Sequence, residues 1–219
     1  MPGAIGPSER SKVRRMPERG VYDRGVIYRI LDEGVVCQVG IVENGKPVVI
    51  PMAYGRVGDS IYVHGSKASR LLRTLARGGS ACVSVTVVDG LVLARSAFHH
   101  SMNYRSVVVF GTGRAVDDPT EQTQAFRALL ERMVPGRWDK IRAPNERELR
   151  QTLVVAISMD EASAKIRTGP PKDDDEDLDF PVWAGVLPLR LEASTPIPDS
   201  HLKNGSAAPA YALDRTRQR

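Results

Sequence analysis

Two periods of apolar residues run along this chain, and strict alternation is the commoner. Residues 35–54 (VVCQVGIVENGKPVVIPMAY) hold two β-branched runs on either side of Asn44-Gly45, so the pattern predicts a hairpin. Gly58-Asp59 predicts a second turn, leading into the strand Ser60 to His64. SACVSVTVV, Asp89-Gly90 and LVLARSAF predict a further strand pair. Residues 104–111 (YRSVVVFG) form another strand, continuing through Arg114 to Val116. Residues 152–159 (TLVVAISM) and 163–167 (SAKIR) predict late strands.

Helical spacing is confined to three stretches. Val26, Ile27, Ile30 and Leu31 share a face within residues 22–32, with Gly34 as the stop. A helix starting at Ser66 puts Ala68, Leu71, Leu72 and Leu75 in one stripe and ends at Gly78-Gly79. From Asp118 to Val134, Pro119 sits in the first turn and Phe126, Leu129, Leu130 and Met133 share a face. Strands joined by tight turns outnumber helices. The expected fold is mostly β with α (α+β), an antiparallel closed or split β-barrel with covering helices. Residues 1–20 read as an arm rich in Pro, Gly and charge. Residues 21–191 read as one domain, and residues 192–219 as a tail that wraps a partner subunit or stays disordered.

Composition narrows the function classes. A chain of 219 residues can bury a real core. The net charge of +5, from 31 Lys+Arg against 26 Asp+Glu, permits an anionic partner. Only 5% of residues are aromatic and no basic block stands out, so nucleic-acid binding is not expected. Cys37 and Cys82 lie in apolar strands and read as buried small hydrophobes in a reducing, cytoplasmic setting. Residues 1–20 lack an apolar signal-peptide core, and no apolar run approaches the ~18 residues of a membrane span.

The sharpest chemical feature is HGSKASRLL at 64–72. Ser66 as N-cap, Lys67, the Ser69 hydroxyl and Arg70 crowd the expected helix start, where a phosphate would fit; the alternative is a capped surface helix with solvated cations. Arg105 lies among the apolar positions Val107 and Val109 of its strand face, so it needs either an anion or an acidic neighbour. His99-His100 point to opposite faces and cannot readily share an ion. The acidic run at 170–179 reads as a solvated loop, so no metal site is expected. Lone His64 reads as structural unless a site is built around it. GTG at 111–113 lacks the dinucleotide fingerprint and reads as a bulge or strand bend.

HGSKASRLL, DGLVLARSAFHHSMNYRSVVVFG and VWAGVLPL together resemble the FMN-binding split-barrel proteins related to pyridoxamine 5′-phosphate oxidase, in the flavin-nucleotide-binding, nitroimidazole-reductase-like branch. The resemblance runs from about Arg14 to Leu191. It implies a homodimer with FMN at the subunit interface. Pro51, Met52 and Ala53 would lie beside the flavin ring. His64, Gly65, Ser66 and Lys67, with Ser69 and Arg70, would hold the phosphate. Arg105 and Ser106 would contact the cofactor, and Trp183 would pack at its site. The family's Arg-x-His substrate motif is missing, since Arg190 has no histidine two residues on. The implied function is therefore an FMN-dependent oxidoreductase for a small molecule, other than the vitamin B6 oxidase, with His64 as candidate proton donor. A non-catalytic flavin-binding or sensor protein, and a split barrel for haem or a deazaflavin, remain the alternatives.

Overall fold

The computed structural model describes residues 6–202 and 207–213. Its centre is a ten-stranded antiparallel sheet curled around one main core. The chain enters through β1 (Gly20–Val21) and α1 (Arg24–Glu33), then β2 (Val36–Glu43), β3 (Lys46–Ala53), β4 (Gly55–Val57) and β5 (Ser60–Ser66). After α2 (Arg70–Ala76) come the long strands β6 (Ser80–Leu93) and β7 (Ser101–Ala115). Then follow α3 (Pro119–Met133), α4 (Glu146–Gln151), β8 (Thr152–Ser158), β9 (Glu161–Arg167) and β10 (Gly185–Pro188). The main path runs β3-β2-β6-β7-β8-β5-β4, with β9 on β7 and on β1, and β10 on β6. This is the split barrel with covering helices.

Local signals explain much of it. Asn44 and Gly45 have φ of 51° and 73°, the left-handed pair that a tight hairpin turn demands, and Glu43 pairs with Lys46 across it. Asp23 caps α1 by accepting from the Val26 amide at 2.9 Å, and Asp118 caps α3 through two amides. Ile27, Ile30 and Leu31 of α1 and Leu71, Leu72 and Leu75 of α2 are buried in the core.

Three sequence expectations change, and a fourth, Gly34 as the stop of α1, holds for a different reason. Asp89-Gly90 is not a hairpin turn. β6 runs straight through it with a β-bulge between Val88 and Gly90, because β7 pairs with both halves and β10 pairs with residues 90–93. The turn falls instead at residues 94–100. The second helix begins at Arg70, not Ser66, because the ladder of β5 with β8 holds through Ser66↔Thr152. Ser69, rather than Ser66, is its N-cap. Gly34 ends α1 in extended conformation (φ −61°). It is needed for space, since a Cβ there would lie 2.2 Å from Val85 Cγ1.

GTG marks the corner of the barrel. Just before it, β7 pairs with β9 at Phe110↔Glu161; from Gly113 it pairs with β8. A Cβ on Gly111 would meet the Ser158 carbonyl oxygen at 1.8 Å, and one on Gly113 the Leu75 oxygen at 2.6 Å. The pattern missed β1, β4, α4 and β10. The expected arm lies along β9, where Ser8 and Arg10 bond Glu161 and Lys165 Nζ donates to the Arg15 carbonyl at 3.0 Å. Residues 192–202 carry no regular structure, and a short helix spans Ala210–Leu213. The remainder of the expected tail, 203–206 and 214–219, lies outside the described residues, as do positions 1–5 of the arm.

Candidate functional site

The turn after β5 carries the residues expected to hold a phosphate. Ser66 Oγ accepts from the Ala68 amide at 3.1 Å, and Ser69 Oγ from the Leu72 amide at 3.4 Å. Gly65 presses close to Leu72, where a Cβ would lie 3.1 Å from Cδ1. Arg70 reaches Glu43 at 3.4 Å, tying the turn to the tip of the β2–β3 hairpin. Lys67 is exposed and has no hydrogen bond or ion pair among the described residues. It borders a cavity of about 410 Å³ between the start of α3 and α4. The apparent misplacement of cations at a helix start therefore dissolves. Lys67 precedes the cap, and Arg70 is partly answered by Glu43.

Pro51, Met52 and Ala53 lie at the other end of β3, paired with Gln38, Cys37 and Val36. β3 has a single neighbour in the sheet, and Pro51 and Ala53 are exposed. From Lys46 at the hairpin tip to Pro51 is about 17 Å of strand. Val36 and Gln38 also line a cavity of about 640 Å³, together with Thr86, Asp89 and Arg105.

Arg105 settles between two acids. It bonds both Asp89 oxygens at 2.9 and 2.6 Å and both Glu33 oxygens, one at 2.8 Å. Four of its five N–H donors are thereby used, leaving one for any ligand in the cavity. Sequence pattern leaves an anion and an acidic neighbour equally open; the acids are present, and the pattern identifies neither Glu33 nor Asp89 as the partner. The signal for both was the cost of an unpaired guanidinium among valines. Ser106 Oγ donates weakly to the Lys165 carbonyl at 3.3 Å.

His64 faces away from this group. On β5, Ile61 and Val63 enter the main core, while Tyr62 and His64 point to the sheet's outer side, beneath α3. The imidazole meets Phe126 edge-on, with centroids 5.1 Å apart at 67°. It lines a cleft of about 290 Å³ with Leu129, Leu130, Met133, Trp138 and Ile141. None of the other expected flavin residues borders that cleft. Burial pushes the His64 pKa below its ordinary value. The apolar face of 118–134 was legible in the sequence, but not that part of it walls a cleft.

Trp183 is 66% exposed and folds over Gly185, where a Cβ would lie 2.8 Å from its ring. His99 Nε2 lies 3.0 Å from Asp174, and His100 Nδ1 lies 2.8 Å from the Ser96 carbonyl. Among the described residues no cluster of three or more His, Cys, Asp or Glu could hold a metal ion. Nor, among them, is any helix long and apolar enough to cross a membrane.

The sequence profile described as pyridoxamine 5′-phosphate oxidase matches residues 23–166. A flavocytochrome from Azotobacter vinelandii superposes with a TM-score of 0.87 and 38% identity, covering 97% of this chain and 98% of its own. A protein from Mycobacterium smegmatis, named as binding FAD and haem, gives a TM-score of 0.85 and 37% identity over 90% of this chain and 97% of its own. No curated protein matches.

Proposed function

The chain belongs to the pyridoxamine 5′-phosphate oxidase family, and on that premise we propose that it is a flavin-dependent redox protein, acting on a small molecule other than a vitamin B6 phosphate. The observation that carries the proposal is unpaired Lys67 beside the Ser66 and Ser69 hydroxyls. Three groups that favour an oxyanion stand on one turn, Ser66 and Lys67 exposed and Ser69 half-buried. Arg70 adds positive charge, moderated by Glu43. The exposed end of β3, with Pro51, Met52 and Ala53, offers backbone for the flavin ring one strand-length away. Arg105 lines the 640 Å³ cavity, while Ser106 points to the other face of its strand. FMN is the smallest ligand that meets these demands. FAD carries the same isoalloxazine–ribityl–phosphate unit, and the M. smegmatis relative is named for it.

The flavin, when bound, supplies the electron-transfer chemistry. The chain's part is to neutralise the phosphate, orient the ring and exclude water from one of its faces. A second copy of the chain completes the site in this reading. Trp183 stands exposed, and Val49, Leu91 and Met102 leave apolar surface on the sheet uncovered. Both relatives pair a flavin with haem by name, and the apolar cleft at His64 favours extending haem to this chain.

Titrating the flavin-free protein with FMN, FAD and riboflavin tests the phosphate claim. FMN and FAD should bind and riboflavin, which lacks phosphate, should bind far more weakly; equal binding of riboflavin removes the claim. Reduction of the bound flavin by NADH or NADPH separates an oxidoreductase from a non-catalytic flavin carrier.

A further inference from the structure

The cleft beneath α3 is not used by the flavin reading, and its chemistry is specific. Its walls are Phe126, Leu129, Leu130, Met133, Trp138 and Ile141, all apolar apart from the indole N–H. The polar group set into them is His64. Its Nδ1 is buried without a hydrogen-bond partner, and the ring forms no hydrogen bond among the described residues. An unmet buried polar atom destabilises the fold, a cost that an aliphatic residue would avoid. Nε2 is not among the buried, partnerless atoms, so it is the nitrogen open to the cleft. At the rim Arg142 is held bidentately by Glu148, at 2.7 Å on both arms. Arg137 and exposed Lys140 stand on the same connecting segment.

A neutral imidazole in an apolar cleft, with the Arg142 guanidinium at its edge, matches a planar, apolar macrocycle with acidic side groups and a central iron. We propose that this cleft is a haem site and that His64 Nε2 is the protein's axial ligand to the iron. The inference rests on the reading that this chain carries haem as well as flavin. It places the two groups on opposite sides of β5, joined in sequence by Gly65, with His64 facing α3 and the Ser66–Lys67 turn facing solvent. His64 is then an iron ligand rather than a proton donor to a flavin substrate.

The test is haemin binding to the full-length protein, followed by its Soret band, with flavin content read separately. Wild type should take up haemin with a histidine-ligated spectrum. His64→Gly should lose that spectrum, and added imidazole should restore it, which a merely structural role would not allow. Leu130→Trp, which fills the cleft and keeps the ligand, should also abolish uptake and guards against a misfolded glycine variant. An unchanged Soret band in His64→Gly, or haemin uptake that survives Leu130→Trp, overturns the assignment, as does a wild type that binds no haemin. Haemin uptake by a protein that takes no flavin overturns the flavin reading alone.

Discussion

Arg105 holds Asp89 with two parallel bonds, 2.9 Å from Nε and 2.6 Å from Nη2, across the bulge that interrupts β6. The bulge re-aims an acidic side chain at a guanidinium in the neighbouring strand, and Glu33, at the end of α1, closes on it from the other side. Removing the arginine would leave two carboxylates facing each other at a half-buried site. Arg105→Met should therefore cost about 1–3 kcal/mol, measured by chemical denaturation. The cluster is partly open to solvent, which keeps the cost below that of a fully buried pair.

The corner glycines give a sharper contrast. Gly111→Ala and Gly113→Ala would each drive a methyl into backbone, and should destabilise by about 2–4 kcal/mol or prevent folding. Gly45→Ala meets open space and should cost about 1 kcal/mol, from its positive φ alone. Thermal melts of the three variants decide whether close approach or turn geometry is the stricter demand.

Asp59 links the β4–β5 turn to α1. Its carboxylate accepts from the Tyr28 hydroxyl and from Arg24, and these bonds hold its pKa below the ordinary value. A depressed folded-state pKa gives stability that is present above the unfolded value and lost as pH falls through the folded one. The acid limb of the stability–pH curve should therefore flatten in Asp59→Asn. The site is half exposed, so the effect should be modest, about 0.5–1 kcal/mol.

Features governed by near neighbours in the chain could be read before the structure. Asn44-Gly45, the Asp118-Pro119 helix start and the long alternating strands belong here. Asp89-Gly90 carries the same turn signal as Asn44-Gly45 yet lies within a strand, because its conformation is decided by β10, almost a hundred residues away. The helix start slipped from Ser66 to Ser69 for a similar reason: pairing with β8 outweighs a serviceable cap. The turn that gathers Ser66, Lys67 and Ser69 was legible because its residues are contiguous. The cleft at His64 was not, since His64, Phe126, Trp138 and Ile141 meet only once α3 crosses β5.

Lys67 can be tested without touching the fold, since it makes no contact that stabilises the free protein. Lys67→Ala should keep the melting temperature and weaken flavin affinity by about 10–100-fold, the worth of a bond to a charged group. Isothermal titration with FMN measures it, and raised salt should narrow the difference.

The most direct measurement is the visible spectrum of the full-length protein, purified and passed through gel filtration. The account predicts a yellow protein whose bound flavin, released on denaturation, is FMN or FAD at about one per chain. A protein that emerges without flavin, and takes up neither FMN nor FAD when they are supplied, would contradict it.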